Sequence, residues 1–127
     1  MSTPQPTVDV QPVAGYSALK MTWQHKVRDE DVVIAFRKIS DTLANSDNPI
    51  YIIVDLLNDP QFPILTTVHE AITPYRHAKL EAWLVIGSNW MAKTIEGALA
   101  KITRHKNVYW FRSEDDVLAY LTSHQPV

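Results

Sequence analysis

The run Ile50-Tyr51-Ile52-Ile53-Val54 constrains this chain more than any other feature. A strand with one wet face would carry a polar residue at every second position. This one is apolar throughout and mostly β-branched, so it predicts a central strand covered on both faces. Asn45-Ser46-Asp47-Asn48-Pro49 precedes it and must end any earlier helix, because proline disfavours helix at the residue before it. Asp55 closes the run.

The flanking patterns supply the covering layers. Residues 7–12 form a short candidate strand, and Ala14-Gly15 a turn. Residues 16–23 alternate, with Leu19, Met21 and Trp23 on one face and Lys20 and Thr22 on the other, as in an antiparallel hairpin at a sheet edge. Asp29-Glu30-Asp31 suits the positive end of a first helix, and Val32, Phe36, Ile39 and Leu43 make its apolar stripe. A loop with Pro60 and Pro63 leads to a second helix over residues 64–72, limited by Pro74. Residues 80–86 form a strand closed by Gly87. Ser88 or Asn89 caps a third helix with Met91, Ile95, Ala98 or Leu99, and Ile102 facing inward. Residues 108–111 are a last strand, and Ser113-Glu114-Asp115-Asp116 opens the last helix with a variant capping box. The order β-β-α-β-α-β-α-β-α predicts a mixed, largely parallel α/β sheet. Residues 1–6 read as a flexible N-terminal tail and residues 7–124 as a single domain.

Composition narrows the function. The 127 residues are 46% apolar and 20% charged, as in a globular domain, and the net charge of −2 gives no general pull toward nucleic acid or anionic membrane. With no cysteine, disulfides, thiol catalysis and cysteine-ligated metals are excluded. No apolar run approaches a membrane span, and Met1-Ser2-Thr3-Pro4-Gln5-Pro6 lacks the basic start and apolar stretch of a signal peptide. The expectation is a cytoplasmic protein with no cofactor and no metal.

The hairpin, the strand phrase Tyr51-Ile52-Ile53-Val54-Asp55-Leu56 and the alternating helices and strands after it resemble the STAS domain. That domain occurs in anti-sigma-factor antagonists and sulfate transporter tails. The segment from His77 to Trp83 and the closing Ser113-Glu114-Asp115-Asp116-Val117-Leu118-Ala119-Tyr120-Leu121 are similar to uncharacterised bacterial members of the broader STAS-like group, which touches the lipid-binding CRAL-TRIO domains. The resemblance implies a non-enzymatic regulatory or interaction module. It departs from the antagonists in one respect: they carry a phosphorylatable serine in an Asp-Ser-Ser-Gly-like motif after this strand. Here no serine lies between Ser46 and Ser88, and Thr66 and Thr67 are the nearest hydroxyls.

Open α/β sheets bind ligands beyond the carboxyl ends of their strands. The expected partner- or ligand-binding rim therefore comprises Asp55, Asp59, Phe62, Thr66, Thr67, Ser88, Asn89 and Trp90. Asp55 has neither the acidic pair nor the lysine of a phosphoacceptor receiver, and Leu57 replaces the second aspartate of a haloacid-dehalogenase-like phosphatase. Its plainer role is to accept backbone hydrogen bonds at a loop start. His25, His69, His77, His105 and His124 lack the spacing of a zinc pair. Lys101, Arg104, His105, Lys106 and Arg112 read as a helix-end basic cluster. Trp90 stands out as a partner anchor, Trp being enriched in binding hot spots. The leading expectation is a protein partner or small ligand at this rim. A small apolar ligand or lipid is the alternative, a hydrolase or phosphatase ranks last, and a homodimer is compatible with the exposed hairpin edge.

Overall fold

The computed structural model describes residues 5–105 and 107–124. In it the apolar run becomes β3 (Ile50–Asp55), the middle strand of a five-stranded sheet. The other strands are β1 (Val8–Pro12), β2 (Ala18–Trp23), β4 (Leu80–Ile86) and β5 (Val108–Phe111). Their spatial order is that of the sequence, β1-β2-β3-β4-β5. Only the β1–β2 pair is antiparallel, with Val8 opposite Trp23 and Pro12 opposite Leu19. The remaining pairs are parallel.

Four helices complete the chain: α1 (Asp29–Ala44), α2 (Ile64–Arg76), α3 (Trp90–Thr103) and α4 (Glu114–His124). The alternation of the strands divides the core in two. Leu19, Met21, Trp23, Ile50, Ile52, Trp83 and Val85 face α1, α2 and α3, where Phe36, Ile39, Tyr75, Ile95 and Leu99 meet them. Ala18, Tyr51, Ile53, Ala82, Leu84 and Ile86 face the other way, against Val117 and Leu121 of α4. Repeated crossovers of one hand onto successive neighbouring strands place α1–α3 on one face. The strand order never reverses, so the sheet has no switch-point crevice of the doubly wound kind.

Two local expectations change, and one open choice between caps is resolved. The second helix continues through Pro74 to Arg76. Proline removes one hydrogen bond in that last turn, but burial of Tyr75 at 2% exposure holds the turn by tertiary packing. Of the two cap candidates Asn89 does the work: its side-chain oxygen accepts from the Ala92 N–H at 3.0 Å. Ile102 is 47% exposed, and the inward stripe of α3 runs Ile95, Leu99, Thr103 at a strict spacing of four. Thr103 is accommodated because its hydroxyl donates to the Leu99 carbonyl at 2.6 Å. Residues 1–4 of the expected tail, and Lys106 of the basic cluster, lie outside the described residues.

Candidate functional site

The loop after β3 and the start of α3 meet on one rim. Asn89 is buried at 5% exposure and donates to the Asp59 carboxylate at 2.8 Å and the Pro60 carbonyl at 3.1 Å. Asp59 is held at φ 50°, a left-handed conformation that aspartate tolerates better than most residues. Its carbonyl lies 2.8 Å from His25 Nδ1, and Asn58 donates to the Trp23 carbonyl at 3.0 Å. This loop is therefore tied to the ends of both β2 and β4. Asp55 accepts from the Leu57 N–H at 3.0 Å, the backbone role expected of it, and lies 3.7 Å from Lys20. Lys20 also reaches Glu114 at 3.1 Å, which directs Asp55 toward the α4 side.

The eight expected residues do not form one surface. Ser88 and Trp90 are exposed, Trp90 at 70%. Thr66 donates to Asp29 at 2.6 Å and fastens the start of α2 to the start of α1. Phe62 and Thr67 are buried, at 9% and 3% exposure, and face inward. Phe62 packs on Trp23 with ring centroids 4.6 Å apart.

Phe62 and Thr67 instead help line a partly enclosed cavity of about 80 Å³ between the sheet and the helices α1–α3. Its aromatic wall includes Trp23, Phe36, Tyr75, Trp83 and Trp110. Tyr75 and Trp83 are stacked at 6.1 Å, and Phe36 meets Trp83 edge-on at 6.3 Å. Four lining residues each carry a buried polar atom that makes no hydrogen bond among the described residues: the indole nitrogens of Trp23 and Trp83 and the hydroxyls of Thr67 and Tyr75. Glu96 is the charged residue of the lining. Burial, and secondarily the Glu96 charge, push the Tyr75 phenol above its ordinary pKa, so it stays a neutral donor or acceptor.

The cavity was the part missed in reading the sequence. Thr67, Ala71 and Tyr75 repeat every four residues along α2 and Trp83 and Val85 alternate along β4, but Tyr75 joins that face only because α2 continues past Pro74. Nothing in that spacing distinguishes a cavity from close packing. Away from both features, His69 is 83% exposed, with Nε2 3.7 Å from Glu70, outside hydrogen-bond range. Among the described residues no group of three or more His, Cys, Asp or Glu is placed to hold a metal ion, and no helix is long and apolar enough to cross a membrane.

Comparison with known proteins adds no identity: no family model, no curated protein and no solved structure matches the chain.

Proposed function

We propose that this chain is a non-enzymatic regulatory or interaction module of the STAS-like class, which binds a protein partner at the rim formed by the β3–α2 loop and the starts of α2 and α3. The observation that carries the reading is the exposure of Leu57, Leu65 and Trp90, at 61%, 86% and 70%, around a loop held by side-chain hydrogen bonds. Large apolar side chains on a pre-organised support suit recognition, because little ordering entropy is lost on binding. The antiparallel hairpin followed by sequentially added parallel strands agrees with the resemblance noted above. On this reading the protein acts in the cytoplasm without a cofactor, and a second copy is one form the partner can take.

A lipid is the less favoured occupant. Sites for molecules of drug size or larger span roughly 300–1,000 Å³, well above the 80 Å³ present.

Asp59 and Thr66 belong to the support, through Asn89 and Asp29, so the test uses the exposed side chains. A photocrosslinking residue is placed at position 57, 65 or 90 in the native host, with 42 and 45 at the far end of α1 as controls. One protein captured from all three rim positions and from neither control is expected, with its affinity falling about tenfold or more in Trp90→Ala. No adduct, or equal adducts at 42 and 45, overturns the reading.

A further inference from the structure

We propose that β5 is the interface of a homodimer, in which two copies of the chain pair antiparallel along this strand, about a two-fold axis at Tyr109, and join their sheets into one. This does not rest on the rim reading.

An open sheet has two edges, and each offers unpaired backbone groups to another strand unless something blocks it. The two edges of this sheet differ. On β1 the Thr7 carbonyl accepts from the Gln24 N–H at 2.9 Å, and the Val13 N–H donates to the Ala18 carbonyl at 3.0 Å. Residues 7, 9, 11 and 13 therefore turn their backbone toward β2, and Val8, Val10 and Pro12 turn theirs outward. That edge is blunted: the Val10 carbonyl accepts from Lys38 at 2.7 Å, and Pro12 has no N–H to offer. On β5 the Asn107 and Phe111 carbonyls accept from the Trp83 and Gly87 N–H groups, each at 2.9 Å. Val108 and Trp110 turn outward, and among the described residues no hydrogen bond reaches their outer N–H and C=O groups. This edge, Val108-Tyr109-Trp110-Phe111, carries no proline, charge or bulge.

The occupant that fits is a second copy. Antiparallel pairing that sets Val108 against the Trp110 of another copy uses every outward backbone group of both strands and brings Tyr109 opposite itself. Tyr109 is 48% exposed beside Tyr120 on the α4 side, and aromatic pairs or aromatic–valine pairs across strands are favourable. The charges agree. Exposed Lys101 and Arg104 precede the strand, and exposed Glu114, Asp115 and Asp116 follow it, with Arg112 the exception. Antiparallel pairing brings the basic end of each copy to the acidic end of the other, whereas parallel pairing sets like charges together.

Sedimentation equilibrium of the full chain up to about 1 mM should show a monomer–dimer equilibrium, with a dissociation constant of about 10–500 µM for so small an interface. Tyr109→Lys and Tyr109→Glu each set like charges face to face and should weaken the dimer about tenfold or more. An equimolar mixture of the two should restore it as a heterodimer. That rescue requires position 109 to meet itself, and it separates a lost interface from a lost fold. The chain has no cysteine, so Tyr109→Cys alone should form an intermolecular disulfide under mild oxidation, whereas Gln11→Cys on β1 should not. Trp90→Ala should leave the dimer unchanged. A chain still monomeric at about 1 mM, charge variants whose mixture is not rescued, cross-linking at position 11 in place of 109, or dimerisation that depends on Trp90 overturns the proposal.

Discussion

Replacing Thr67 by valine should stabilise the protein, whereas the same change at Thr66 should destabilise it. The two residues are adjacent on α2, and both substitutions exchange a hydroxyl for a methyl on a β-branched side chain. Helix propensity is nearly unchanged in each case. The difference lies in what each hydroxyl does. Thr67 is 3% exposed and its hydroxyl makes no hydrogen bond. Leaving such a group unpaired costs about 1–3 kcal/mol, so its removal should return at least about 1 kcal/mol. Thr66 donates to Asp29 at 2.6 Å from a half-buried position, and loss of that bond costs about 0.5–1.5 kcal/mol. For 127 residues, an unfolding entropy of about 2.1 cal/mol/K per residue makes 1 kcal/mol equal to about 4 °C in Tm. The two variants should then differ by about 8 °C and bracket the parent. Calorimetry in ligand-free buffer measures this, and urea titration with an unchanged m-value assigns the shift to stability. A Thr67→Val protein that melts at or below the parent would show that the hydroxyl is satisfied in solution, and the account of an unpaired cavity wall would fail.

Three further outcomes follow from local geometry. Arg104 ends α3 at φ 58°, a conformation glycine enters without steric cost, so Arg104→Gly should raise stability by up to about 1 kcal/mol in urea unfolding. Asn89→Ala removes the α3 cap and two bonds to the 59–60 turn and should cost about 2–3 kcal/mol, with hydrogen-exchange protection falling first in residues 57–61. At Asp31, burial pushes the carboxyl up, but the Thr7 hydroxyl, the Thr7 N–H and Arg28 together hold it below the ordinary value of 3.8. A depressed folded pKa gives stability that is present above the unfolded value and lost as pH falls through the folded one. Urea midpoints should therefore drop below about pH 4 in the parent, and Asp31→Asn should flatten that part of the profile.

The elements that could be read from the sequence were those with one dominant local cause. The unalternated Ile50–Asp55 strand, the Leu19-Met21-Trp23 alternation and the carboxylates before Val32 each specify an element and its buried face, and the structure has all of them. The end of α2 was not legible, because the packing of Tyr75 outweighs the local signal of Pro74. Nor was the end of the α3 stripe, where a hydroxyl bonded to its own helix makes Thr103 as acceptable inside as Ile102 would be. At the site, the rule for strand ends put Asn89 and the 59–60 turn on one rim, and the two are hydrogen-bonded there. The inward turn of Phe62 and Thr67 did not, because the side on which α2 settles depends on the strand order. Sequential addition without reversal places α1–α3 together on one face, and that shared face holds the cavity.

Whether the unpaired wall groups act as one site is a question of coupling. Thr67 and Tyr75 stand eight residues apart on α2, about 12 Å along its axis, and neither side-chain oxygen bonds to any of the described residues. Two sites so separated, with no common partner, should respond independently. In ligand-free protein the double variant Thr67→Val, Tyr75→Phe should therefore equal the sum of the single changes within about 0.5 kcal/mol. Non-additivity beyond that would mean that the two hydroxyls communicate through the protein or its water, and the groups of the wall would then have to be explained together rather than one by one.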